Sequence, residues 1–139
     1  MEILKKNRGF TLIELMLVII IIGVLVAMVA PRLTGKSQQA RIAATQGDIN
    51  AHLSAAIDLF ELDTGRYPTT AEGLAALRTA PSGAPHWKGP YLKRPVPLDP
   101  WENPYVYKSP GQHNREDYDL FSYGPDGVEG GEDDITNWK

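Results

Sequence analysis

Two groups of side chains in this 139-residue chain have the types and spacing to do chemistry, and both rely on carboxylates. The first is a lone acid. Lys5-Lys6-Asn7-Arg8-Gly9-Phe10-Thr11-Leu12-Ile13-Glu14 leads into the apolar run Leu15 to Ala30, and Glu14 is the only charge from Phe10 to Ala30. A carboxylate inside a membrane-spanning segment costs a few kcal/mol and normally finds a partner. No base lies in the run. Cleavage between Gly9 and Phe10 would create an α-amine four residues before Glu14, largely protonated near neutral pH and about one helical turn away. Between staggered helices, the amine of one chain could reach the Glu14 of the next. A signal-anchor helix that tolerates a Glu near its cytoplasmic end fits the same residues. The second group is Tyr123 to Trp138, where Gly124, Gly127, Gly130 and Gly131 alternate with acids. Glycine lets a backbone fold tightly, and Ca²⁺ takes six to eight oxygens from carboxylates, carbonyls and water. A solvated acidic loop is the plain alternative, and the spacing is not that of an EF-hand.

The elements that position these groups follow from the rest of the pattern. As a helix, Phe10 to Ala30 is long enough to cross the roughly 30 Å bilayer core, its basic flank staying in the cytoplasm. The small residue precedes the apolar run, so cleavage there would leave the run in the mature chain. Gly23, Pro31, Gly35 and Gly47 soften the helix, and Pro31 predicts a kink. Beyond it, Ile42, Ile49, Leu53, Ala56 and Phe60 form one apolar stripe, and Gly65 suits the C-terminal end. Thr70 is placed as the N-cap of a short helix over Ala71–Leu77. Tyr91-Leu92 reads as a short extended piece. Pro95 to Tyr105 carries four prolines and forbids regular structure, with Trp101 burying its indole to anchor the turn. Tyr105–Lys108 and Tyr118–Tyr123 read as strands joined by a hairpin whose tip exposes His113.

Net charge is −3; removal of Met1–Gly9 leaves −5. That acidity, without a basic face, argues against nucleic acid. There is no cysteine, so a small extracytoplasmic domain must rely on its core, its partners or a metal. His52, His86 and His113 sit in unrelated contexts, and Ser54, Ser82 and Ser109 lack a motif, so no enzyme is indicated.

Arg8-Gly9-Phe10-Thr11-Leu12-Ile13-Glu14 resembles the processing motif of type IV pilins and type II secretion pseudopilins. Asp63-Thr64-Gly65-Arg66-Tyr67-Pro68-Thr69-Thr70 is similar to the segment after the family's helix. Leu98-Asp99-Pro100-Trp101-Glu102-Asn103-Pro104-Tyr105 resembles its Asp-Pro-Trp-Gly-Asn-Pro-Tyr signature, with Glu102 where glycine is common. The likeness covers essentially the whole chain and is nearest the major, G-type pseudopilins; the absent cysteines and the acidic loop separate it from surface-fibre pilins for adhesion or motility, the alternative. It implies an α+β, type IV pilin-like fold: a cleaved leader (1–9), a transmembrane and assembly helix (10–31) and a periplasmic globular domain (32–139). That domain would comprise an amphipathic helix (32–63), a helix-loop segment (64–104), and an antiparallel sheet with a calcium loop (105–139). It implies that a prepilin peptidase cuts after Gly9 and methylates Phe10, and that Glu14 and Phe10 act in assembly. It implies Ca²⁺ bound by the side chains of Asp126 and Asp133 and by main-chain oxygens of Tyr123, Val128, Gly131 and Asp134. It implies a homopolymer anchored in the inner membrane, surrounded by lipid before assembly. Minor pseudopilins and an inner-membrane assembly platform would be partners of a periplasmic filament that moves folded exoproteins across the outer membrane.

Overall fold

A computed structural model describes residues 9–138, except the side chains of residues 32–34. The chain divides into two units, residues 1–39 and 40–139. The described part of the first is almost entirely helix. Helix α1, Leu12–Gly47, begins there and passes through Gly23, Pro31 and Gly35 without interruption. Thr11 caps it: its hydroxyl accepts the Glu14 N–H at 3.3 Å and its carbonyl accepts the Leu15 N–H at 3.2 Å. Every large apolar side chain from Leu12 to Val29 is exposed, and the stretch is long and apolar enough to cross a membrane.

The second unit holds the core. After α1, Asp48–Leu53 forms a π-helical turn, and α2 follows at Ser54–Thr64. Sequence reading expects an unbroken amphipathic helix; the wide turn is a departure from it. Ser54 donates its hydroxyl to the Ile49 carbonyl five residues back, at 2.6 Å, and Tyr105 donates to the Asp48 carboxylate at 2.9 Å. The turn keeps Ile49 and Leu53 buried in line with Ala56, Ile57 and Phe60. Burial stabilises each large side chain by roughly 1.5–3 kcal/mol. Gly65, at φ +75°, ends α2 by donating its N–H to the Glu61 carbonyl at 2.7 Å.

The next helix is shorter than the spacing predicts and of a different kind, a 3₁₀ turn at Gly73–Leu77. Glu72 holds its cap position, and the reciprocal bonds of the turn before it come from Thr69, not Thr70. The Thr69 hydroxyl accepts the Glu72 N–H at 3.2 Å, while the Glu72 carboxylate accepts the Thr69 N–H at 2.8 Å. Thr70 instead bonds the backbone of Ser109 in both directions. Arg66 grips Glu72 with two hydrogen bonds of 2.8 Å and reaches the Gly83 carbonyl. The guanidinium hydrogen bonds lower the Glu72 pKa from the ordinary 4.5 to about 2. The folded state therefore favours the ionised acid. Its contribution is complete above about pH 4.5 and is lost as pH falls toward 2. Glu72→Gln should cost about 2 kcal/mol at neutral pH and remove this part of the acid sensitivity. Denaturant titrations of both proteins at pH 7 and pH 3 check it: equal losses at both pH values would contradict the linkage.

Tyr91 and Leu92 form no strand; Tyr91 packs its ring against Phe60 and Trp87 and donates its hydroxyl to Asp63 at 2.9 Å. The sheet has three strands, β1 (Val106–Lys108), β2 (Asp119–Ser122) and β3 (Ile135–Thr136), antiparallel in the order β1-β2-β3. Val106 faces Phe121, and Phe121 also faces Thr136. Central β2 is buried on both faces, so it lacks the alternation of a half-exposed strand. β3 was not legible in the sequence. Two residues give too short a period to read, and they lie among acids and glycines.

Candidate functional site

The loop between β2 and β3 carries the acidic residues. A short 3₁₀ turn, Gly124–Asp126, opens it, and Gly127 at φ +70° reverses it. Gly124 has φ +66°, and a Cβ there would collide with the Asp133 carbonyl oxygen, so only glycine fits. The loop thereby folds Asp133 back over Gly124. The Asp126 N–H donates to Asp133 Oδ2 at 3.1 Å, and the Val128 N–H donates to Asp126 Oδ1 at 2.9 Å. Both carboxylates also converge on Gly131. A Cβ there would collide with Asp133 Oδ1 and come within 3.0 Å of Asp126 Oδ2.

Of the sequence-derived residues, the structure thus brings Asp126, Asp133 and Gly131 together. Val128 is tied in through its N–H, with its side chain exposed. The Asp134 carboxylate accepts the Gly130 N–H through Oδ2 at 2.9 Å; its Oδ1 is buried without a partner among the described residues. The ring of Tyr123, which precedes the turn, packs on Phe121 at 5.8 Å. Two acids side by side suit a cation that takes oxygen ligands. Among the described residues no three His, Cys, Asp or Glu side chains form a metal-holding group, so main-chain carbonyls would have to complete any such set.

A brace behind the loop escaped the sequence reading. Asp99 is buried in the proline-rich turn. Its Oδ1 accepts the N–H groups of Trp101 and Asn103 at 3.0 and 2.8 Å, and its Oδ2 accepts the Ser122 hydroxyl of β2. Ser122 Oγ in turn accepts the Gly124 N–H at 3.0 Å. One carboxylate therefore links the turn, the central strand and the first residue of the acidic loop. The Asx geometry at Asp99 was the available signal: an Asp followed by proline favours such a turn. Trp101, expected to bury its indole, is half-buried against the core.

Glu102, the departure from the signature, sits at φ +68°, and among the described residues no other non-glycine has positive φ. The turn keeps the shape that glycine favours, and this chain holds it with a side chain that disfavours it. The left-handed region costs an L-residue about 1–2 kcal/mol, against roughly 0.5–1 kcal/mol of extra chain entropy for glycine. Glu102→Gly should therefore raise stability by about 0.5–1 kcal/mol, read as a higher denaturation midpoint. A lower midpoint would show that Glu102 makes a compensating interaction.

The hairpin tip folds over another acid, at the start of β2. Asp119 has a side chain only 1% exposed. Burial pushes its pKa up, but N–H groups of His113, Asn114 and Gln112 outweigh that and hold it below the usual range. His113 is half-exposed, as its place at the tip suggested, yet its ring stacks on Trp138 at 4.1 Å and meets Asp119 at 3.2 Å.

The model of the type II secretion system protein G family matches residues 32–138, which is the whole of this site and most of the chain. This chain belongs to the protein G family of type II secretion systems. It is a structural family and not an enzyme family. A prokaryotic N-terminal methylation motif matches residues 4–30, so the lone acid and its flanks also fall on a described pattern. Protein G relatives span the full length. Type II secretion system core protein G of Escherichia coli K12 is 49% identical, aligned over 99% of this chain and 95% of its own. Those of Klebsiella pneumoniae and Pseudomonas aeruginosa are 47% and 45% identical; each alignment covers 96% of the relative, with 97% and 96% of this chain. The crystal structure of the major pseudopilin from the type 2 secretion system of enterohaemorrhagic E. coli superposes with a TM-score of 0.64 at 40% identity, covering 76% of this chain and 89% of that one. The long N-terminal helix with a small antiparallel sheet is the protein G fold.

Gly9 and Phe10 precede α1 and are exposed. Glu14 is the third residue of the helix, and its carboxylate has no partner among the described residues. Its place in the first turn suits the helix dipole, as does the Thr-x-x-Glu pattern that begins at Thr11. Residues 1–8 lie outside the described residues.

Proposed function

We propose that this chain is the major structural subunit of a type II secretion pseudopilus. The observation that carries the reading is the helix from Leu12 to Val29, whose large apolar side chains find no cover among the described residues. Such a surface belongs in lipid or against copies of itself. Before assembly it anchors the protein in the inner membrane, with the basic leader cytoplasmic and the globular unit periplasmic. In the filament, helix–helix contacts replace lipid contacts. A prepilin peptidase removes Met1–Gly9 and methylates Phe10, and the new ammonium pairs with Glu14 of a neighbouring copy. Minor pseudopilins and the inner-membrane assembly platform complete the machine, and the growing periplasmic filament moves folded exoproteins across the outer membrane.

Calcium belongs to the same proposal. Asp126 and Asp133 would hold it with their carboxylates, and main-chain oxygens of Tyr123, Val128, Gly131 and Asp134 would add to the set. The bound ion would supply charge neutralisation and a cross-link that this cysteine-free chain lacks. The convergence of the two carboxylates on Gly131 supports it.

Intact mass of the membrane-extracted protein tests the processing. The expected product lacks Met1–Gly9 and carries one added methyl group. A full-length, unmodified mass from cells with an active peptidase would overturn the assembly scheme.

A further inference from the structure

The globular unit carries an apolar groove of about 650 Å³ that the secretion reading leaves without a role. Its walls include Leu74 from the 3₁₀ segment, Arg78 just after it, Val96 from the proline-rich stretch, and Tyr105 and Val106 at β1. β1 is an edge strand, and sheet edges and apolar grooves of this size accept extended segments. Arg78 is the one charged residue in the lining. Its Nη1 is buried without a hydrogen-bond partner, and its guanidinium has no ion pair among the described residues. A part-buried cation without an ion pair, beside an apolar trough, favours a ligand that brings an apolar side chain and a carboxylate together.

The chain itself presents such a segment. Val128 is 63% exposed at the tip of the acidic loop. Four residues on, Glu132 is exposed and has no partner among the described residues. Leu59 and Leu62, also exposed, lie on a rigid helix and cannot enter the groove as an extended segment. No residue of the acidic loop lines the groove of its own chain.

We propose that the groove receives the acidic loop of a second copy, with Val128 seated among the apolar walls and Glu132 against Arg78. The inference rests on the reading of the chain as a self-assembling subunit. Groove and loop are different surfaces, so the contact is heterologous. Contacts of that kind propagate head to tail and generate open helical filaments when they do not close.

Because the chain has no cysteine, an introduced pair reports cleanly. Full-length Val128→Cys/Thr79→Cys, assembled into filaments and oxidised, should give a ladder of covalent multimers; Thr79 is exposed at the groove. Leu98→Cys/Thr79→Cys, whose first position is exposed outside the groove, should give none. Normal filaments with no ladder beyond that control would overturn the proposal. Separately, Arg78→Glu should lower filament yield about tenfold or more while the unassembled protein keeps its melting temperature. Adding Glu132→Arg should restore the yield. Wild-type yield from Arg78→Glu alone would also overturn it. If the unsubstituted chain forms no filaments, the subunit reading fails and takes this contact with it.

Discussion

Asp133→Ala should lower the melting temperature of the full-length protein in calcium by roughly 10 °C or more, and chelation of the wild type should do the same. The reasoning runs through linkage. A ligand that binds only the folded state stabilises it by about 2.7 kcal/mol when present at 100 times its Kd. For a domain of about 100 residues, 1 kcal/mol corresponds to about 4–8 °C. Asp133 also accepts the Asp126 N–H through its carboxylate, so its side chain organises the loop as well as adding charge. The two contributions separate in chelator. There the variant should fall below the wild type only by the lost hydrogen bond, about 1 kcal/mol. Thermal melts of both proteins, with calcium and with chelator, decide the matter. A wild-type midpoint indifferent to chelation would remove calcium from the account and leave a self-bonded acidic loop.

Glu14→Gln should abolish or sharply reduce filament formation while leaving the globular unit folded. The substitution keeps the size of the side chain and removes its charge. In apolar surroundings an isolated charge is costly, and a matched pair is far less so. The processed Phe10 ammonium would then be left without its counterion at every subunit contact. The same substitution should make insertion into the bilayer easier, because a neutral side chain costs less there. Filament counts by electron microscopy, set against the amount of membrane-inserted protein, give the comparison. Normal filament numbers from Glu14→Gln would mean that the acid serves the helix, capped at Thr11, and not the contact between copies.

The sequence made some elements plain and hid others, for physical reasons. The apolar run, the stripe from Ile49 to Phe60 and the Gly65 terminus were legible because each rests on local composition or a long period. The first hairpin was legible because its strands contain adjacent aromatic and apolar residues on either side of a Pro-Gly turn. The π turn was not, since it depends on Ser54 and Tyr105 bonding to residues five and fifty-seven positions away. Thr69 and Thr70 are both competent caps, and only tertiary context gives Thr70 to Ser109 and leaves Thr69 for Glu72. In the candidate site, the clustering of Asp126 and Asp133 followed from the resemblance, not from spacing. Asp99 was hidden because its partners Ser122 and, through it, Gly124 lie more than twenty residues away. Glu102 was visible as a departure, but its positive φ was not.

The bond from Asp99 to Ser122, and from Ser122 to Gly124, has a mechanical reading. It is a keystone: three stretches of chain distant in sequence lean on a single pair of oxygens. Such an arrangement opens as one piece or stays shut as one piece. A disturbance of the proline-rich turn is therefore felt at the mouth of the acidic loop, even though the loop's own residues are untouched.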